Sequence, residues 1–251
     1  MQRYFVDQFK DEMKNKAIIT GDDVHHISRV MRMKKHDQVI CCSKDGYTAM
    51  CEIEHISNDQ VTCIVLKWME MNNELPVRVQ IASGLPKGDK LEWIIQKGTE
   101  LGAAQFIPFI AARSIVKLDA KKAEKKKERW RKIAKEAAEQ SHRNAIPTID
   151  APVTFQELLK RSKSADLKLV AYEESAKKGE SSSLYQALSS LLPGQTIIVV
   201  FGPEGGMTED EIRQLEQVGF ISCGFGPRIL RMETAPLYLL SAISYHFEIM
   251  R

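Results

Sequence analysis

The chain has 251 residues, of which 43% are hydrophobic, and a net charge of +3. That is enough apolar material for one large domain, or a small one joined to a medium one, and it excludes a chain disordered throughout. No apolar run reaches the ~18 residues that a membrane span requires. Five scattered cysteines (Cys41, Cys42, Cys51, Cys63 and Cys223) form no C-x-x-C pair and lack a histidine at ligand spacing. They argue against a structural zinc and read as thiols of a reducing cytoplasm. Met1 to Lys10 mixes charges with Tyr4, Phe5 and Phe9 and lacks the apolar stretch of a signal peptide, so a cytoplasmic location is expected.

Residues 1–72 read as a small β-barrel domain. Gln38–Cys42, Tyr47–Ile53 and Gln60–Leu66 are short β-prone runs separated by Lys44-Asp45-Gly46 and Ser57-Asn58-Asp59 turns, and Asp22 to Met33 reads as a helix among them. Such a barrel suits nucleic acid, although many small β domains bind none. Met69 to Pro76 is polar, ends in proline and serves as the linker. Residues 73–251 then change pattern. Strand-like Val77–Ala82 precedes a helix around Asp89–Leu101, a strand at Gln105–Phe109, a helix at Thr154–Arg161, and apolar strands at Leu167–Ala171 and Thr196–Phe201. Strands alternating with helices predict an α/β domain whose mostly parallel sheet is covered on both faces.

Between these elements lies a strongly basic stretch, Lys117 to Lys135, in which only Asp119, Glu124 and Glu128 oppose the lysines and arginines. It reads equally as a polyanion-binding face and as a solvated helix surface.

Strand Thr196–Phe201 runs directly into Gly202-Pro203-Glu204-Gly205-Gly206, and Thr208 with Glu211 forms a capping box that opens the next helix. A buried strand, a glycine turn and a helix start form the usual ligand position of an open α/β sheet. The G-x-x-x-x-G-K-[ST] phosphate loop is missing, which excludes an ATP or GTP P-loop, and without a G-x-G-x-x-G after the first strand a dinucleotide fold is poorly supported. A second glycine turn, Gly224-Phe225-Gly226-Pro227-Arg228-Ile229-Leu230-Arg231-Met232-Glu233-Thr234, leads into an apolar final helix.

The two turns together resemble the SPOUT superfamily of methyltransferases, and in particular the RsmE family, which methylates N3 of a uridine in 16S ribosomal RNA. The resemblance extends to His25–Met33, to Lys87-Gly88-Asp89-Lys90 with Gln96–Gly102, to Pro108 and Arg113-Ser114, and to Glu136–Arg143. Phe225 and Met232 stand where the family pattern has leucine and threonine. The resemblance implies a parallel sheet with a C-terminal trefoil knot behind a PUA-like barrel, a homodimer, and no membrane. It also implies S-adenosylmethionine as cofactor and the small ribosomal subunit as partner. The cofactor would lie across Tyr172 and Glu173, the turn Gly202, Pro203, Glu204, Gly205 and Gly206, and Phe225, Gly226, Ile229 and Leu230, with Thr234. Arg231 is the expected stabiliser of a deprotonated uracil, with Glu233 or Glu173 orienting it or taking the proton; a plain ion pair at the helix start is the alternative for Arg231 and Glu233. RNA contacts are expected from Arg29, Arg32, Lys87, Lys90, Arg113 and Arg143. Rival readings are a non-catalytic ribosomal-RNA binder, a nucleotide-using enzyme on the same scaffold, and a SPOUT methylase acting at another RNA position.

Overall fold

The structure is a computed structural model, and it describes residues 1–114, 120–172 and 183–250. The chain divides into two units, the first formed by Met1–Glu74 with Ala138–Ile146, the second by Leu75–Ala137 with Pro147–Arg251.

In the first unit, β1 (Arg3–Phe5), β2 (Lys16–Thr20), β3 (Gln38–Cys42), β4 (Thr48–Ile56) and β5 (Gln60–Met69) form one curled sheet in the order β1-β3-β4-β5-β2. Among the described residues no ladder joins β1 to β2, so the expected barrel is a curled sheet with two edges. Alternate residues face its core: Ala17 and Ile19, Val39 and Cys41, Ala49, Cys51 and Ile53, Val61 and Cys63. The period-2 rule of a half-buried strand produces this set. Hydrogen bonding with Cys51 and Cys63, together with burial, pushes the Cys41 thiol up, so it packs as a small neutral hydrophobe. Short α1 (Lys10–Met13) follows β1.

The helix expected over Asp22–Met33 is shorter than its sequence pattern. It consists of α2 (Asp22–His25) and a π-helical turn, His26–Val30. Ser28 Oγ donates to the Val24 carbonyl at 2.7 Å, a local bond that competes with regular helix. Arg32 then takes a left-handed conformation at φ 51°, which ends the run.

Arg143, expected on the RNA-facing surface, is buried in the first unit, its side chain 3% exposed. Its guanidinium meets both oxygens of Glu74, whose Oε1 also accepts from the amides of Asn144 (2.9 Å) and Ala145 (3.2 Å). The Arg143 carbonyl accepts from Arg3 Nη1, and Asn144 Nδ2 donates to Thr48 Oγ1 at 2.9 Å and to the carbonyls of Gly46 and Met71. A phosphate has no access to this guanidinium, and its role is structural.

The second unit is a parallel sheet in the order β12-β10-β11-β6-β7-β8, with β9 also paired to β7. Its strands are β6 (Arg78–Gly84), β7 (Gln105–Ile110), β8 (Thr148–Ile149), β9 (Val153–Thr154), β10 (Leu167–Ala171), β11 (Thr196–Phe201) and β12 (Ile221–Cys223). Its helices are α3 (Lys90–Glu100), α4 (Ala120–Gln140, whose last turn belongs to the first unit), α5 (Phe155–Arg161), α6 (Ser183–Ser190), α7 (Glu209–Gln217) and α8 (Ala235–Ser244). Central β11 shows why its sequence does not alternate. Ile197, Val199 and Phe201 pack with α3, α4, α6 and α8, while Ile198 and Val200 pack with α5 and α7. Both faces are covered, as parallel sheets require. Among the described residues no helix is long and apolar enough to cross a membrane.

Candidate active site

The carboxyl ends of β6, β10, β11 and β12 deliver the site. At the end of β6, Gly84 lies so close to the next turn that a Cβ there would sit 2.6 Å from Pro203 N and Cδ. Only glycine lets the two backbones approach this closely. The Gly202–Gly206 turn ends with Gly206 at φ 69°, in the left-handed region, before the helix begins. Thr208 then caps α7 as its sequence predicts. Its Oγ1 accepts from the Glu211 amide at 3.2 Å, and Glu211 Oε2 accepts from the Thr208 amide at 2.8 Å. The other oxygen of Glu211 accepts from the Ala112 amide at 2.8 Å. This buried carboxylate therefore also ties the loop after β7 to the glycine turn.

From that same loop, Arg113 Nη1 donates to the Gly205 carbonyl at 3.0 Å, and a Cβ on Gly205 would meet Arg113 Cβ at 3.2 Å. The second glycine turn is anchored at both ends. Phe225 packs against Phe201 (ring centroids 5.8 Å apart) and Tyr238 (6.4 Å), which explains how an aromatic ring is accommodated there. The Arg231 carbonyl accepts from the amides of Thr234 and Ala235 at the start of α8. At the end of β10 the Tyr172 amide donates to the Cys223 carbonyl at 3.1 Å.

These loops enclose a cavity of about 710 Å³. Gly202, Pro203, Glu204, Gly205 and Gly206 all line it. Phe225, Gly226, Ile229 and Leu230 line it from the second turn, and Tyr172 from the end of β10. Arg231 and Glu233 line it too, whereas Thr234 is exposed at the head of α8 and does not. Glu173 lies outside the described residues.

Of the basic residues expected to meet RNA, Arg29, Arg32 and Lys87 are exposed, while Lys90 and Arg113 line the cavity. On the basic helix, Lys121, Lys122, Lys125, Arg131 and Lys132 are exposed, and Trp130, Ala134 and Ala137 are buried on the opposite side. Its Arg129 pairs with Glu92 at 2.7 Å, and Lys117 falls outside the described residues.

Sequence reasoning did not place Met207, Cys223 and Met232 in the cavity wall, although all three line it. Each sits next to a glycine turn or a helix start, which is the signal that could have found it. Burial pushes the Cys223 thiol up to about 12. It is a neutral, apolar part of the wall. Burial also acts to raise the Glu204 carboxyl, but hydrogen bonds from its own amide, from Lys90 and from the Lys87 amide outweigh it and hold the group below its usual value. Glu233 Oε2 is buried and, among the described residues, has no hydrogen-bond partner. Its ion-pair neighbour is Lys90, at 3.9 Å.

A cavity lined by two glycine turns at the carboxyl ends of a parallel sheet is a small-molecule site. Comparison with known proteins specifies which. Residues 73–244 match the RNA methyltransferase domain, and residues 19–66 match the RNA methyltransferase PUA domain. The class is thus an RNA-modifying methyltransferase carrying an N-terminal PUA domain. Ribosomal RNA small subunit methyltransferase E of Bacillus subtilis (strain 168) is 58% identical over 253 residues, covering 100% of this chain and 99% of the relative. The Synechocystis protein of that name is 34% identical, covering 92% of this chain and 73% of its own. The chain belongs to the ribosomal RNA small subunit methyltransferase E family. Among solved structures, a putative methyltransferase from Legionella pneumophila in complex with the cofactor SAM superposes with a TM-score of 0.81 at 29% identity, over 97% of both chains. A Neisseria gonorrhoeae ribosomal RNA small subunit methyltransferase E bound to S-adenosyl methionine gives 0.81 at 26% identity, also over 97% of both.

Proposed function

We propose that this protein methylates N3 of one uridine in 16S ribosomal RNA, taking the methyl group from S-adenosylmethionine. The observation that carries the reading is the cavity itself. Its size falls within the ~300–1,000 Å³ of small-molecule sites, and residues from three strand ends line it, six of them glycine or proline. Backbone amides and carbonyls can read an adenine, and the close packing at Gly84, Gly202 and Gly205 fixes the turn that would present them. The structural neighbours solved with this cofactor support the assignment.

S-adenosylmethionine supplies an electrophilic methyl group on a sulfonium; the protein's residues prepare the uracil to accept it. Glu233, whose carboxylate lines the cavity, accepts the N3 proton. Arg231, exposed at the cavity lip, stabilises the negative charge that spreads onto the uracil carbonyl oxygens. Holding both partners in one cavity contributes further rate by removing their freedom to diffuse apart. N3 lies on the Watson–Crick edge, so a paired uridine must be extruded first. Arg29, Arg32, Lys87 and Arg113 contact phosphates, which position the RNA without reading its sequence.

The fold reading includes the trefoil knot of the SPOUT superfamily and a homodimer. An uncovered apolar face supports the dimer: Tyr238, Tyr245 and Ile249 recur at helical spacing along α8 and its extension, and Trp93 lies 50% exposed on α3, which packs against α8. Exposed large apolar residues grouped on packed helices suit an interface.

The test is to delete the gene, map methylated uridines in 16S ribosomal RNA by mass spectrometry, and restore the modification in vitro with purified protein and S-adenosylmethionine. Loss and restoration of one N3-methyluridine support the reading. An unchanged methylation map, or no calorimetric heat with S-adenosylmethionine, overturns it in favour of a non-catalytic RNA binder.

A further inference from the structure

We infer that Lys90 is a positioning residue that latches the two glycine turns together across the cavity, and is not a contact for RNA phosphate. Lys90 is the first residue of α3. Its Nζ lies 3.0 Å from Glu204 Oε1, on the turn after β11, and 3.9 Å from Glu233 Oε2, on the turn before α8. One ammonium thus connects both turns to a third element. The Lys87 amide reinforces it by donating to the same Glu204 oxygen at 3.3 Å.

The charges explain why a cation is needed there. Glu204 and Glu233 line one cavity from different turns, and without Lys90 two carboxylates would lie on either side of the space its ammonium fills. Like charges in that position repel, and the turns that carry them are the ones that must hold a ligand. With Lys90 in place the three groups sum to one negative charge. Moving the ammonium out to a phosphate would restore the repulsion. The lysine has more to lose there than to gain. The same pairing fixes Glu233, the proposed proton acceptor, in position.

This inference rests on reading the cavity as the S-adenosylmethionine site, and the experiment separates the two. The full-length protein, Lys90→Met, Glu204→Gln and the double variant are titrated with S-adenosylmethionine by calorimetry. Lys90→Met weakens binding about three- to fivefold, the worth of two half-exposed ion pairs, and Glu204→Gln, which removes one of them, weakens it less. The double variant is no weaker than Lys90→Met, because the Glu204 pair is already lost there. Exchanging the charges with Lys90→Glu and Glu204→Lys together recovers part of the affinity that Lys90→Glu alone loses, the Glu233 pair staying broken. Binding of an unmodified 16S ribosomal RNA transcript keeps its dependence on salt in Lys90→Met. A Lys90→Met protein with unchanged cofactor affinity and a salt slope lower by about 1 would overturn the latch and return Lys90 to phosphate binding. An NMR titration of the Glu204 carboxyl provides a readout that needs no cofactor. Its midpoint rises in Lys90→Met if the ammonium holds it down, and a midpoint that does not move counts against the latch. A wild-type protein that gives no heat with S-adenosylmethionine refutes the cofactor reading, while the Glu204 titration still decides the latch.

Discussion

Replacing Glu74 with alanine tests the claim that Arg143 is a structural group. The carboxylate receives the Arg143 guanidinium through both oxygens and the amides of Asn144 and Ala145 through one. Truncation leaves a guanidinium that is 3% exposed facing a void instead of an anion. Breaking a buried ion pair from one side costs about 3–5 kcal/mol. Glu74 itself is 24% exposed, so water can enter part of the space, and the lower figure, ~3 kcal/mol, is the appropriate expectation. In a unit of roughly 80 residues each kcal/mol moves the midpoint by about 4–8 °C, so the first unit should melt roughly 12–24 °C lower. Thermal unfolding followed by circular dichroism and by Trp68 fluorescence, in a background with Trp93 and Trp130 replaced by phenylalanine, reads that transition. Glu74→Gln, which keeps one acceptor oxygen, should lose less. A Glu74→Ala protein within about 0.5 kcal/mol of wild type would refute the reasoning, because a mere surface pair is worth no more than that.

Arg231→Ala should keep S-adenosylmethionine affinity within a few fold while nearly abolishing transfer to 16S ribosomal RNA; unchanged turnover would remove Arg231 from the mechanism. Gly84→Ala places a Cβ against the Pro203 main chain, so it should cost about 1–3 kcal/mol in thermal stability and weaken cofactor binding in calorimetry. Equal stability and affinity would show that the turn has slack. Cys223, pushed up to about 12, carries a thiolate fraction near ~10⁻⁴ at pH 8. Iodoacetamide at that pH should leave it unmodified in the folded protein and label it in urea, as peptide mass mapping would show; rapid labelling of the native protein would contradict a buried neutral thiol.

What could be read from the sequence divides along the range of the interactions involved. Strand β11 and the capping box at Thr208 and Glu211 are local devices, a continuous β-branched run and a three-residue spacing, and the structure reproduces both. The glycine turns were equally visible, since glycine marks close backbone approach. Strand β1 was not legible. It has three residues, begins with the buried Arg3, and exists because it pairs in parallel with β3 more than thirty residues later. Strand β12 is as short and pairs with β10 across a similar separation. Arg143 was misjudged because a charged residue reads as a surface group until its partner is known, and Glu74 lies far along the chain. The cavity residues Met207 and Cys223 offered only apolar side chains, which sequence assigns to a core by default.

The return of Ala138–Ile146 to the first unit has a consequence for how the protein is made. A ribosome releases residues 1–74 long before Arg143 and Asn144 exist to satisfy Arg3, Glu74 and Thr48. The amino-terminal sheet must therefore wait, incomplete, until about 146 residues have emerged, although domains commonly fold in order of synthesis. For the same reason the module is not a contiguous cassette. Cutting the gene after codon 74 would transplant a sheet that lacks its own keystone.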